Sequence, residues 1–360
     1  YCNAPAGTLS LAAERAANGD VQPFGVRYWG VGNESWGCGG TMRPEEYAAK
    51  YRQFVTQFPA YTEPFLVATG PRGHSADGDI GWTTGFFQAM RGATLPNGFS
   101  LHFYTDLRPT KVKAGDFTAL EWYEVLLRGL RLEKVIEDHW SEMGKFDATH
   151  RTRLVLDEWG VWYPPGSEIT PAYILSQTIT LRDAVHTGLT FDILNRHAEK
   201  IAMANVAQSI NCIHSLFRAQ GDKFVRTPVY HVFDMYRQHM GAHQVPLSNP
   251  APELNVPVLA GQARLPGLSA SASIRGRRLA VTLVNPSLDA ALSLRIRLAG
   301  GTRATEARGS LLTHQDMRAT NTFADPDEVK PIAHPVRVVA DALELRMPKQ
   351  ALVLIECELG

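Results

Sequence analysis

Apolar positions along the first two thirds of the chain recur at two alternating periods. Residues 8–18 (TLSLAAERAAN) carry them at helical spacing, and 26–32 (VRYWGVG) read as a short buried strand running into a glycine-rich loop. Tyr47, Tyr51, Phe54 and Phe58 repeat at intervals of four, three and four, which predicts an amphipathic helix over 44–58. Residues 65–69 (FLVAT) predict a strand closed by Gly70-Pro71. A helix is expected over 83–90, a strand over 99–104 (FSLHFY), a long helix over 120–140 and a strand over 153–158 (RLVLDE). A helix over 171–187, a strand-like run over 206–217 and a helix over 228–239 continue the alternation. Strands separated by helices imply crossovers between parallel strands, so the fold class is α/β.

Past residue 242 the helical period disappears. Runs at 279–284 (LAVTLV), 291–298 (ALSLRIRL), 340–347 (ADALELRM) and 351–357 (ALVLIEC) alternate apolar and polar side chains as half-buried antiparallel strands do. The expected organisation is an α/β part over 1–241 and an antiparallel β-sandwich over 242–360. The linker is placed at 248–257, where three prolines fall.

Composition narrows the function classes. With 36 Lys+Arg against 36 Asp+Glu among 360 residues the formal net charge is zero. No basic run stands out, so a phosphate-tracking nucleic-acid binder is not expected. No stretch of 18 apolar residues exists to make a membrane-spanning helix. Four scattered cysteines, Cys2, Cys38, Cys212 and Cys357, form neither a disulfide framework nor a CxxC metal or redox pair, and suit a reducing compartment. Cys38 reads as a small packing residue.

Two carboxylates stand out by position. Glu34 follows a predicted strand through Gly32 and Asn33, and Glu158 closes the predicted strand 153–158. In a (β/α)8 barrel the strand C-termini meet on one face, the face that carries catalysis. Paired carboxylates there suit glycoside hydrolysis, one protonating the leaving oxygen and the other attacking or activating water. Taken singly, each is equally a surface glutamate at a strand end. Their neighbours are Trp29, Asn33 and Trp36 around the first and Trp159, Trp162 and Tyr163 around the second; rings stack on sugar faces and amides bond sugar hydroxyls. His102 and Tyr104, two apart in a strand, point to one side.

The runs YWGVGNESWGCGG (28–40) and DEWGVWY (157–163) resemble glycoside hydrolase family 51, the α-L-arabinofuranosidases, and SLHFY (100–104), NRHAEKIAMANVAQSIN (195–211) and TPVYHVFDMYRQH (227–239) extend the likeness. The resemblance implies a (β/α)8 TIM-type barrel followed by a jelly-roll-like sandwich. It implies Glu34 as general acid/base, Glu158 as nucleophile and Asn33 as partner of the sugar 2-hydroxyl. Tyr104 would orient the nucleophile, and His102, Trp162 and Gln208 would line the sugar pocket. Gly160 stands where many relatives carry Asn. The mechanism implied is retaining double displacement, with the Glu34 carboxyl raised by burial and by the charge of Glu158, and with no cofactor or metal. The substrate implied is terminal arabinofuranose on arabinan, arabinoxylan or their oligosaccharides, the assembly a homo-oligomer (a hexamer), the location cytoplasmic. A same-clan β-xylosidase or endoglucanase, and a catalytically dead carbohydrate-binding fragment, are the alternatives. If Glu34 follows barrel strand four, only residues 1–3 remain of strand three and the barrel here is incomplete. An isolated chain of that kind is expected to associate through exposed apolar faces and strand edges.

Overall fold

The structure is a computed structural model, described over residues 1–59, 63–75, 77–169 and 175–360. Two compact units divide the chain. The first joins Tyr1–Phe103, Lys134–Asp157 and Glu199–Ala204; the second joins Tyr104–Glu133, Glu158–Ala198 and Asn205–Gly360.

Strands β1 (Tyr28–Val31), β2 (Phe65–Ala68), β3 (Gly98–Asp106), β4 (Arg153–Trp162) and β5 (Ile201–Val206) are neighbours in one five-stranded sheet whose spatial order follows chain order. The pairs β1–β2 and β2–β3 are parallel. Helices α1 (Ser10–Ala17), α2 (Pro44–Val55), α3 (Ile80–Ala89) and α4 (Ala119–Gly144) precede or separate these strands. Chain-ordered strands joined through helices are the winding of a TIM-type barrel. Because such strands are covered on both faces, β3 is buried at eight consecutive positions instead of alternating.

Helix α2 begins at Pro44, where the missing N–H costs nothing, and the Glu46 carboxylate accepts the Arg43 N–H at 2.8 Å. Its buried face presents Tyr47 and Tyr51. The Tyr47 hydroxyl donates to the Val31 carbonyl and accepts from the Thr69 N–H, fastening the ends of β1 and β2 just before the loop that carries Glu34.

Several expectations need correction. Residues 1–3 are irregular; Asn3 instead bonds both backbone groups of Val26 through its side chain, at 2.6 and 2.8 Å. The helix expected over 171–187 begins at Leu181, as α5 (Leu181–Arg196), because Thr180 and Asp183 form a capping box there. Residues 171–174 of that expectation lie outside the described ones. The strand-like run expected over 206–217 meets β5 only at Val206, where that strand ends; beyond it Gln208, Asn211 and Ile213 take left-handed backbone angles that no strand accommodates. Part of the expected linker is a strand: Glu253–Val258 pairs antiparallel with Gly261–Pro266, burying Val256, Val258 and Leu265.

The second unit holds α5, α6 (Pro228–Tyr236), a hairpin of β6 (Phe217–Gln220) with β7 (Lys223–Arg226), and the β-rich C-terminal part. Its six-stranded sheet places Ala304–Thr313, Ala351–Leu359, Arg278–Asn285 and Ser269–Arg275 side by side, antiparallel. Leu343, Leu345 and Met347 of a separate three-stranded sheet share one core with Val281, Leu283, Val353 and Ile355 of the larger one.

Asp192 on α5 ties that helix to this part. It accepts the Ser271 hydroxyl at 2.6 Å and the Tyr236 hydroxyl at 2.9 Å, and is completely buried. Burial pushes its carboxyl up from 3.8 to about 6 despite those donors. The folded-state value is raised, so the stabilisation is complete below the unfolded value near 3.8 and lost as pH climbs through about 6. Asp192→Asn is therefore expected to lack this loss between about pH 4 and 7, so that the two proteins diverge across the window. The parent loses on the order of 3 kcal/mol more across that window. Parallel urea midpoints at about pH 4, 5.5 and 7 measure it, and identical pH dependence in both proteins would refute it.

Candidate active site

Glu34 stands in the loop that follows β1. The loop after β1 turns at Gly32, whose positive φ of 107° and close neighbours Thr69, Ser35 and Tyr47 leave little space for a side chain. Glu34 itself is held left-handed at φ 44°, an unfavourable angle for a non-glycine residue. Its carbonyl accepts the N–H groups of Gly37 and Gly39 at 2.7 and 3.0 Å. A Cβ on Gly39 would lie 1.7 Å from the Asn33 carbonyl oxygen, so only glycine closes this turn. Gly39→Ala is expected to lower kcat/KM by about 100-fold through misplacement of Glu34, with a Tm loss of only a few degrees. A substituted enzyme with unchanged kcat/KM would show that the turn does not set the site.

The Glu34 carboxylate is half-buried. Oε1 faces His102 Nδ1 at 3.1 Å, and Oε2 accepts the Cys38 thiol at 3.1 Å. The hydrogen bond from His102 is the main reason the carboxyl sits below its ordinary value. Partial burial opposes it, and the Cys38 thiol and the charges of His102 and His74 add to it. The raised carboxyl expected from the sequence is thus reversed, because its partners favour the ionised form. Cys38 is exposed and bonded to Glu34, not a packing residue. Trp36 stands edge-on to the His102 ring, its indole N–H donating to the Gly70 carbonyl at 3.1 Å. Asn33 is exposed, its carbonyl enclosed by the Gly39 turn.

In the second unit the Tyr104 hydroxyl donates to Glu158 Oε1 at 2.6 Å. Tyr104 is 2% exposed and packs edge-to-face on Trp162 at 5.0 Å, in a cluster with Ala207, Cys212 and Ile213. Burial pushes the Cys212 thiol up, and the charge of Glu158 adds to the effect. The Arg108 guanidinium lies 3.9 Å over the Trp162 ring and forks onto Asp106 at 2.9 and 2.8 Å. Gln208 follows Ala207, exposed and left-handed at φ 63°.

Glu158 does not close its strand, as expected, but sits within β4. The strand continues because Trp159 and Val161 are buried and the Trp159 and Trp162 carbonyls accept the N–H groups of Ala207 and Leu107. Gly160 has φ 153°, and a Cβ there would lie 2.5 Å from that of His214. A side chain at this position would be strained and would require the buried histidine behind it to shift.

Comparison with known proteins places this arrangement. The α-L-arabinofuranosidase C-terminal domain model matches residues 157–350, and the α-L-arabinofuranosidase 1 domain model matches residues 1–106. The intracellular exo-α-L-arabinofuranosidase of Bacteroides ovatus is 32% identical over 358 residues, covering 98% of this chain and 68% of its own. The chain belongs to the α-L-arabinofuranosidases of glycoside hydrolase family 51. The GH51 arabinofuranosidase structure from Xanthomonas axonopodis pv. citri superposes with a TM-score of 0.90 at 33% identity, over 99% of this chain and 71% of that one. An intracellular exo-α-(1→5)-L-arabinofuranosidase of Streptomyces lividans is 28% identical over 93% of this chain. The chain spans half the length of that relative. No helix among the described residues is long and apolar enough to cross a membrane.

Sequence reasoning names Glu34, Glu158, His102 and Tyr104 but misses Ser100, Asp157, Cys38 and Arg108. Ser100 stands two residues before His102 on β3, and that period of two is the available signal. Asp157 and Cys38 carry none, since their roles depend on which strand and loop lie beside them.

Proposed function

We propose that the chain removes terminal non-reducing α-L-arabinofuranose from arabinan, arabinoxylan or arabino-oligosaccharides with retention of configuration. Glu158 is the nucleophile and Glu34 the acid/base. The observation that carries this reading is the pair of donors on β3: His102 faces Glu34 and Tyr104 holds Glu158, two residues apart on one strand. Glu158, ionised and steadied by Tyr104, attacks the anomeric carbon while Glu34 protonates the departing oxygen. Water then hydrolyses the glycosyl-enzyme with Glu34 as base. A retaining reaction requires the two carboxyl groups roughly 5–5.5 Å apart. Asn33 bonds the 2-hydroxyl, Trp162 stacks beside the sugar, and Gln208 contacts the furanose.

The catalytic portion is assigned to 1–241 and a β-sandwich to 242–360. Two relatives are named intracellular, which supports an intracellular location. The family likeness implies a homo-oligomer, a hexamer. The deciding experiment is hydrolysis of an aryl α-L-arabinofuranoside beside the corresponding β-xyloside and β-glucoside, with the first-formed anomer read by NMR. Cleavage of the arabinofuranoside alone, with retention, is expected; preference for either pyranoside would overturn the assignment.

A further inference from the structure

His102 has a carboxylate at each ring nitrogen. Nδ1 lies 3.1 Å from Glu34 Oε1 and Nε2 lies 3.4 Å from Asp157 Oδ1, while the side chain is only 3% exposed. The same Asp157 oxygen accepts the Ser100 hydroxyl at 2.8 Å. A neutral imidazole carries one N–H and can donate to one carboxylate only. A ring between two carboxylates is built to hold a second proton.

We propose that Asp157 is a positioning residue that, steadied by Ser100, takes the Nε2–H of His102 and leaves Nδ1 to share one proton with Glu34. The proposal rests on the reading of Glu34 as general acid. With the shared proton on Nδ1, the ring is an imidazolium and Glu34 a carboxylate. With it on Oε1, the ring is neutral, still bonded through Nε2–H to Asp157, and Glu34 is the acid that protonates the leaving oxygen. The proton moves between two heavy atoms and no charge leaves the pair. A carboxyl held low can therefore still serve as the acid, because its proton is stored on the neighbouring ring. A carboxylate fixes a catalytic imidazole tautomer in the same way in the serine protease triad; here the imidazole serves a glutamic acid.

The titratable and charged groups facing the pair can be named by element. Asp157 on β4 favours retention of the proton. Cys38 in the loop after β1 donates to the ionised Glu34, and His74, after β2, lowers its carboxyl by charge. Arg72 lies over the Trp36 ring that stands against His102. Glu158 is the next residue after Asp157 on β4.

The pair titrates as a unit, and the basic limb of the pH profile reports loss of its proton. Removing the Asp157 charge in Asp157→Asn is expected to move that limb down by roughly one pH unit for phenyl α-L-arabinofuranoside, whose leaving group needs protonation. Plateau activity on the 2,4-dinitrophenyl substrate should stay within about threefold, since that leaving group needs no acid. An unmoved basic limb, or equal losses on both substrates, would reduce Asp157 to a structural role and overturn the proposal. Should Asp157→Asn fail to fold, 1H–15N spectra of the unmodified full chain decide. His102, assigned by its absence in His102→Asn, is expected to keep its Nε2 proton at every pH where the fold persists, and a bare Nε2 overturns the proposal. If Glu34→Ala loses activity equally on both substrates, the reading of Glu34 falls, while the ring tautomer still decides the role of Asp157.

Discussion

Glu158→Ala is expected to lower kcat on an aryl α-L-arabinofuranoside by on the order of 10⁴-fold or more, the scale at which loss of a covalent nucleophile is felt. Added azide should then restore turnover, yielding an arabinofuranosyl azide of inverted configuration, because a small anion fits where the carboxylate was and Glu34 still assists departure. The geometry argues for this residue over its neighbours. The Tyr104 hydroxyl, itself buried, donates at 2.6 Å to one oxygen of Glu158, fixing the carboxylate. Asp157, one residue earlier, points into the Ser100–His102 contacts instead. Azide that restores nothing, or that gives a product of retained configuration, would remove Glu158 from the nucleophile role and leave Asp157 as the residue to test.

Much of this is legible from residues alone, and the reason is physical. The strand around Ser100, His102 and Tyr104 is read correctly because a run covered on both faces is continuously buried, and period two then assigns its two polar rings to one side. Helix α2 is read to within a few residues because Pro44 and the tyrosine spacing mark it locally. What the residues do not show depends on distant partners. Glu158 reads as a strand end, but β4 runs four residues further because Leu107 and Ala207, far away in sequence, supply its hydrogen-bond partners. The segment 248–257 reads as linker because three prolines fall in it, yet residues 253–258 form a two-stranded sheet with 261–266, where each strand has a free edge that tolerates Pro257. The direction in which the Glu34 carboxyl moves is hidden for the same reason. Burial can be guessed from position; the donors His102 and Cys38, which outweigh it, are visible only once strand and loop are side by side.

Glu34→Ala should separate substrates by their leaving group. For an arabino-oligosaccharide or a phenyl arabinofuranoside, whose departing oxygen must be protonated, kcat/KM is expected to fall by about 10³-fold, within the range general acid catalysis supplies. For the 2,4-dinitrophenyl arabinofuranoside, which leaves as a stable anion, kcat/KM should fall less than about tenfold. Its kcat should drop much further, because the glycosyl-enzyme now lacks a base to activate water and accumulates. A burst of dinitrophenol followed by slow turnover is the expected trace, and azide should lift the slow phase without needing a base. The basic limb of the pH profile should disappear for the phenyl arabinofuranoside, since the pair that carried the proton for its leaving group is broken. Removing the carboxylate also leaves Cys38 and His102 without their shared acceptor, so a fall common to every substrate would indicate a disordered loop in place of a missing acid. Glu34→Gln, which keeps the shape and one of the two acceptor oxygens, distinguishes the two: the same leaving-group dependence in both variants makes Glu34 the acid/base, and uniform losses in both would take that role away from it.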